Sequence, residues 1–197
     1  MRPATARLYR PLRRWGRVER LPLTHLGEGL RCFVCRPRAQ HGLGLEFALV
    51  GDHVEASWLP QADFEGWPGV LHGGAIASAL DEGAAWAMIG VSGRVGFTTR
   101  LDLRFLKPVP LARPAKVLGH VKDVGERGGT YTAEVHLEEG ALAAVAAVDY
   151  AFVDDKAVER ILGRGLDGRL GEWLRAPPER RKALTLQWSR EHAARAP

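Results

Sequence analysis

The sequence predicts an α+β fold, a long antiparallel β-sheet wrapped around one central helix. Three observations carry this. One Ala-rich segment, residues 73–91, places Ile76, Leu80, Ala84 and Met88 at spacing four, a single apolar stripe of a helix. Four strand-like runs of near ten residues follow it. Each is closed by a turn signal: Lys107-Pro108, Gly128-Gly129, Glu139-Gly140 and Asp154-Asp155. One buried helix followed by contiguous strands is the order of an α+β domain.

The elements follow in chain order. Residues 1–29 lack sustained periodicity and read as a basic N-terminal arm. The core domain is expected over 30–154, and a helical C-terminal extension over 155–197. Residues 42–60 alternate apolar and polar in two runs around Gly51-Asp52, which reads as two strands joined tightly. FEGWPGVLHGG, residues 64–74, holds four glycines and a proline and reads as a loop. The many small residues of the helix allow another element to pack very close. Residues 95–106 alternate through Val95, Phe97, Thr99, Leu101, Leu103 and Phe105. Residues 115–124 and 130–137 alternate again, and the apolar run 141–153 suits a central strand buried on both sides. Beyond it Leu162, Leu166, Leu170 and Leu174 continue at spacing four across glycines that interrupt one long helix. Pro177-Pro178 stops that pattern, and 179–194 suits a last amphipathic helix.

Composition excludes several classes. The 197 residues are 46% hydrophobic and 26% charged, ordinary for a globular protein with a sizeable core. No run approaches the ~20 apolar residues of a spanning helix. No basic start leads into an apolar stretch with a cleavage site, so a secretory signal is not expected. An Arg-rich, acid-poor start also occurs in transit peptides, but Pro3, Pro11 and the lack of Ser argue against one. Two cysteines make no disulfide framework. A cytoplasmic protein without a membrane partner is the expectation. The net charge of +5 hides an uneven distribution: residues 1–40 carry +8, residues 41–154 carry −7 and residues 155–197 carry +4. The acidic middle argues against nucleic acid as its partner.

The strongest constellation is His72-Gly73-Gly74 with Asp81 nine residues after the histidine. A Gly-Gly pair at a helix start presents backbone N–H groups with no side chain before them, at the positive end of the helix dipole. Such donors suit an oxyanion or a polarised carbonyl. Asp81 is a carboxylate in an otherwise apolar helix. The plain alternative is a loop histidine and a locally paired carboxylate. Geometry sharpens the choice: Gly73 and Asp81 stand about 12 Å apart along one helix. A reacting atom roughly 3 Å from both is then out of reach of a single helix. If both act on one atom, two antiparallel copies of the helix must meet at a two-fold interface.

These residues resemble a known family. GWPGVLHGGAIASALDE, then TTRLDLRFLKPVPL, then an apolar final strand are similar to the hotdog-fold acyl-CoA thioesterases of the phenylacetate-pathway and THEM4-like type, over roughly residues 30–153. The resemblance implies the hotdog fold and hydrolysis of an acyl-coenzyme A thioester, with no metal and no cofactor beyond the substrate. It implies that the Gly73 amide polarises the thioester carbonyl. Asp81 is the nucleophile or the base that activates water, and His72 orders the loop. A Ser/Thr on the next strand assists: Thr98, or Thr99 one residue on. It further implies a homodimer or a homotetramer. Two departures stand out. Relatives place Asn or Gln six residues before the histidine to position water, where this chain has Gly66, and Gln61 is a poor substitute. Glu82 follows Asp81 directly, and adjacent helical residues point about 100° apart. Asp81 is therefore kept as the catalyst, and Glu82 lines the pocket or is a structural partner.

Further candidates are weaker. Gly74, Trp67, Glu82, Trp86 and Thr99 are expected to bind substrate, the two tryptophans by lining an acyl tunnel. Arg100, Lys107 and Arg127, at strand ends or turns, match places where relatives hold coenzyme A phosphates. Each tryptophan, Trp58 included, also fits a core, and each base a solvated surface. Cys32-x-x-Cys35 with His25 and His41 offers four zinc ligands. Relatives carry a similar pair, and the reading preferred is a packed lead-in loop without metal. No Gly-x-Ser-x-Gly elbow supports a serine-hydrolase route. Two rivals stay open: an acyl-thioester dehydratase or hydratase of the same fold, and a non-catalytic acyl-CoA sensor whose basic arm binds DNA.

Overall fold

The computed structural model of the protein describes residues 19–27, 31–35, 42–163, 165–166 and 168–194. Most of the basic arm, and His41 with it, lies outside these residues.

Seven strands form one antiparallel sheet. They are β1 (Arg20–Pro22), β2 (Glu46–Val50), β3 (His53–Trp58), β6 (Gly96–Phe105), β7 (Ala115–Val124), β8 (Gly128–Leu137) and β9 (Leu142–Phe152), in the order β1-β2-β3-β7-β8-β9-β6. The tight β2–β3 hairpin and the four long strands follow the sequence pattern. β9 is an interior strand one in from the β6 edge, paired to β8 on one side and to β6 on the other. The sheet begins at Arg20, ten residues before the boundary drawn at residue 30, because Leu21 pairs with Leu49 and is buried.

The segment expected as a loop contains a hairpin. β4 (Glu65–Trp67) and β5 (Val70–Leu71) pair across Pro68-Gly69. Gly69 sits at φ 77°, the left-handed position a turn with proline before it requires. Its amide donates to Glu65 Oε1 at 2.6 Å. Strands this short show no alternation, so only the turn could be read.

Helix α1 (Gly73–Gly90) lies against the sheet, packing on β3, β7, β8 and β9. Its predicted stripe of Ile76, Leu80, Ala84 and Met88 is buried throughout. Opposite stand Val117, Tyr131, Ala133, Val135, Ala146 and Val148, each at most 1% exposed. Contact is closest at Gly83 and Gly119: a Cβ on Gly119 would run into the Gly83 carbonyl. Only glycine at this point of β7 lets the two backbones approach so far.

The C-terminal extension forms α2 (Asp155–Leu162), α3 (Gly168–Arg175) and α4 (Pro178–Ala194). Asp154 caps α2 through the Ala157 amide at 2.7 Å, and Gly163 ends it at φ 69°. Arg181 of α4 reaches back over the Trp173 ring, 4.9 Å from its centroid, and binds the carbonyls of Leu174 and Ala176 at 2.9 Å each. It thereby satisfies the open end of α3. α4 packs on β1, and Trp188 meets His25 edge-on at 6.4 Å. The extension thus covers one edge of the sheet.

Candidate active site

Helix α1 starts where the glycine pair predicts. His72 is its N-cap, in extended backbone at φ −62°, ψ 137°. Its Nδ1 accepts the Gly74 amide at 2.8 Å. That bond changes the expected donor set. Gly74 spends its N–H on His72, whereas the Gly73 amide has no partner among the described residues. One backbone donor, not two, stands open at the positive end of α1. Gly73 also lies under the exposed Phe105 ring, which a Cβ there would meet at 3.2 Å.

Asp81 lies two turns further along α1 and is partly exposed. Thr98 Oγ1 donates to its Oδ1 at 2.9 Å. Tyr150 Oη lies 3.1 Å from the same oxygen and 2.8 Å from the Asp81 carbonyl, so its single proton is shared between them. Oδ2 has no partner among the described residues. Burial first, and the Asp81 charge next, push the Tyr150 phenol well above its ordinary value, so it stays a donor. Tyr150 is the residue that sequence reading missed. Its only local trace is an aromatic hydroxyl in the apolar run of β9.

The strands decide which threonine meets Asp81. Thr98 faces Tyr150 in the β6–β9 register, and a bulge follows before Arg100 pairs with Asp149. The bulge turns Thr99 away, and its hydroxyl donates to the Asp149 carbonyl at 3.0 Å. Thr99 therefore has no contact with Asp81.

Glu82 and Trp86 pack together away from the Asp81 side, Glu82 in the structural role that the sequence also allows it. Trp86 is 2% exposed, stacks on Phe47 at 6.3 Å and donates its indole N–H to Glu82 Oε1 at 2.9 Å. Glu82 Oε2 lies 3.5 Å from Cys32 Sγ. The 100° step between neighbours sends Asp81 to the Thr98–Tyr150 side and Glu82 to the lead-in turn. Burial raises the Glu82 carboxyl to about 7. The Cys35 thiol and the backbone N–H groups of Cys35 and Val34 hold Cys32 down to about 5. Cys35 is pushed up by its hydrogen bond to Cys32 and by burial. Of the other two ligands weighed for zinc, His25 packs edge-on to Trp188 and does not group with Cys32 and Cys35, and His41 lies outside the described residues.

The remaining candidates are exposed. Trp67 is 78% exposed at the β4–β5 hairpin, available for contact rather than part of the core. Trp58, by contrast, is buried. Arg100 pairs with Asp102 at 3.2 Å on β6. Lys107 and Arg127 are exposed and make no ion pair among the described residues. Gly66 packs on His72, and a Cβ there would stand 2.9 Å from the His72 Cα. The space a side chain at residue 66 would need is thus filled by the N-cap residue. Beside His72 opens a groove of ≈ 260 Å³ lined by Phe33, Leu43 and Phe64 with Gly74, Ala75 and Ser78. Asp81 does not line it.

Comparison with known proteins agrees with this fold. The family model described as Thioesterase superfamily matches residues 68–144. The mouse (Mus musculus) acyl-coenzyme A thioesterase THEM4 is 33% identical over 76 residues, 36% of this chain. The chain spans about a third of the length of that relative, 32%. Among solved structures, the thioesterase superfamily protein RHA08564 has a TM-score of 0.59 at 25% identity, over 68% of this chain and 66% of that one. The PaaI protein of the E. coli phenylacetic acid degradation operon has a TM-score of 0.53 at 18% identity, over 57% and 81%. The chain therefore has the hotdog fold, and its residues 68–144, which run from the Pro-Gly turn through α1 into β9, resemble the thioesterase superfamily.

Proposed function

We propose that the chain is an acyl-CoA thioesterase that hydrolyses its substrate with water activated by a carboxylate. The observation that carries this reading is Asp81: one carboxylate oxygen is fixed by Thr98 and Tyr150, and the other is unpartnered among the described residues. A base held in this way is oriented before substrate arrives. Oδ2 takes a proton from water as the oxygen attacks the thioester carbonyl carbon. The developing oxyanion is met by the Gly73 amide. The tetrahedral intermediate collapses, the C–S bond breaks, and the departing sulfur takes the proton back from Asp81, so that coenzyme A leaves as the free thiol and the carboxylate is restored.

The two halves of this chemistry sit at opposite parts of α1, about 12 Å apart. We therefore assign the site to a homodimer, with Gly73 from one protomer and Asp81 from the other; a dimer of dimers repeats it. Two features support the pairing. The groove beside His72 lacks Asp81. Strand β6 is an open sheet edge with Phe97 and Phe105 exposed at 42% and 55%. Lys107 and Arg127 are the cations proposed to meet the coenzyme A phosphates.

The test is a panel of aliphatic and aromatic acyl-CoA substrates, followed by release of free thiol. Turnover of at least one class is expected, and Asp81→Asn should abolish it while far-ultraviolet dichroism stays unchanged. Turnover by Asp81→Asn at the wild-type rate would overturn the mechanism. Binding of acyl-CoA by the wild type without turnover would favour a sensor.

A further inference from the structure

We propose that Cys32, Cys35 and Glu82 form a zinc site that ties the lead-in turn to helix α1. The three ligand atoms lie within 4.8 Å of one another. Zn–S and Zn–O bonds of ~2.3 and ~2.0 Å at a tetrahedral angle put sulfur and oxygen roughly 3.5 Å apart. Cys32 Sγ and Glu82 Oε2 already stand at 3.5 Å. The widest separation, at most 4.8 Å, must close by about 1 Å to reach the tetrahedral sulfur–sulfur or sulfur–oxygen distances.

The surroundings suit anionic sulfur. The turn after Cys32 aims two backbone amides at its Sγ, Val34 at 3.4 Å and Cys35 at 3.5 Å. A neutral thiol is a weak acceptor and gains little from two donors, whereas a metal-bound thiolate needs them. Trp86 Nε1 fixes the other carboxylate oxygen of Glu82 at 2.9 Å, the outer contact that orients a ligating carboxylate. Bound as two thiolates and one carboxylate, the three ligands carry three negative charges in a partly buried space, which a divalent cation offsets. Thiolates exclude magnesium and calcium, and the carboxylate disfavours copper(I) and iron–sulfur clusters. Zinc remains, with three protein ligands and a fourth position left to water. This site is independent of the hydrolytic reading: it lies on the opposite side of the 100° step from Asp81.

The experiment uses the full chain, reduced and stripped with a chelator, then titrated with cobalt(II) chloride as a spectroscopic probe and with zinc chloride in competition. One cobalt per chain is expected, with tetrahedral d–d bands and a near-ultraviolet thiolate-to-cobalt charge-transfer band that zinc abolishes. Cys32→Ser and Cys35→Ser should each about halve that band. Glu82→Gln should keep it but weaken binding at least about tenfold. A wild-type chain that shows no charge-transfer band, or whose two thiols prove to be a disulfide that does not reopen, overturns the proposal. So does equal cobalt binding by the folded double cysteine variant. The wild-type spectrum decides the matter even if a cysteine variant fails to fold.

Discussion

The shared site can be tested by splitting it. Asp81→Asn removes the base from one chain. Gly73→Pro removes the open amide from the other, and the structure says it can do so cleanly. Residue 73 is the first helical position, where proline is favoured and no intrahelical bond is lost. The preceding His72 at ψ 137° already has the backbone a residue before proline must adopt. The nearest obstacle is the tip of Phe105, an exposed ring free to swing. Loss of an oxyanion donor costs about 10²–10³ in rate, and loss of a general base about 10²–10⁴. Either homodimer should therefore keep roughly 1% of wild-type activity or less. A heterodimer of the two variants has one site with both lesions and one with neither. Isolated by two different affinity tags, it should show about half the wild-type activity per dimer, because a two-fold interface makes both sites equivalent. If the two groups served one site within a chain, each site would carry one lesion, and the heterodimer would be as inactive as its parents. That result refutes the shared site.

Three more outcomes are expected. Tyr150→Phe removes a donor to a carboxylate, an interaction of about 1.5–3 kcal/mol, so kcat should fall roughly 10- to 100-fold with little change in KM; steady-state kinetics on the best acyl-CoA checks this. Gly119→Ala drives a Cβ into the Gly83 carbonyl, backbone against backbone, and should cost about 3 kcal/mol, a fall of roughly 6–12 °C in Tm by calorimetry. The third concerns pH. Burial would raise the Glu55 carboxyl, but His53 at 3.0 Å and Arg20 at 2.6 Å hold it down to about 2 from an ordinary 4.5. Its contribution, about 3 kcal/mol, is complete above pH ~4.5 and is lost as pH falls toward 2. His53 is raised above 6.5 chiefly by Glu55, so its own share is complete below pH ~6.5 and is lost as pH rises through its folded value. Asp52 adds to that rise, and the stacked His120, lowered by burial and by His53, faces the same pair. Tm against pH should peak between about 4.5 and 6.5, and Glu55→Gln should flatten both limbs; an unchanged profile in that variant would refute the assignment.

What could be read in advance followed periodicity. The helix stripe and the four long strands repeat over enough residues to declare themselves, and His72, Gly73 and Asp81 sit on α1 where their spacing placed them. Counting back from Lys107-Pro108 points to Thr98 before Thr99, and it is Thr98 that meets Asp81, since the bulge after it turns Thr99 away. Two features escaped because they are non-local. Tyr150 stands 69 positions from Asp81 and reaches it only through the β6–β9 register. Glu82 and Trp86 look like site residues on a linear helix, yet rotation about its axis carries them to the Cys32 side. Gly74 was half legible: its place was right, but the histidine that orders the loop consumes its amide.

The two margins of the sheet are unlike. β1 lies under α4, while β6 is open and exposes Phe97, Leu101 and Phe105 among its charged residues. Strand addition at an open margin can in principle repeat without limit, which is how fibres grow. Here two copies joined margin to margin through β6 would each use up the one sticky boundary they own, leaving a helix-covered flank at either end. Strand addition through β6 would then end at one pair of sheets, and in such a pair the C-terminal extension would be the chain terminator.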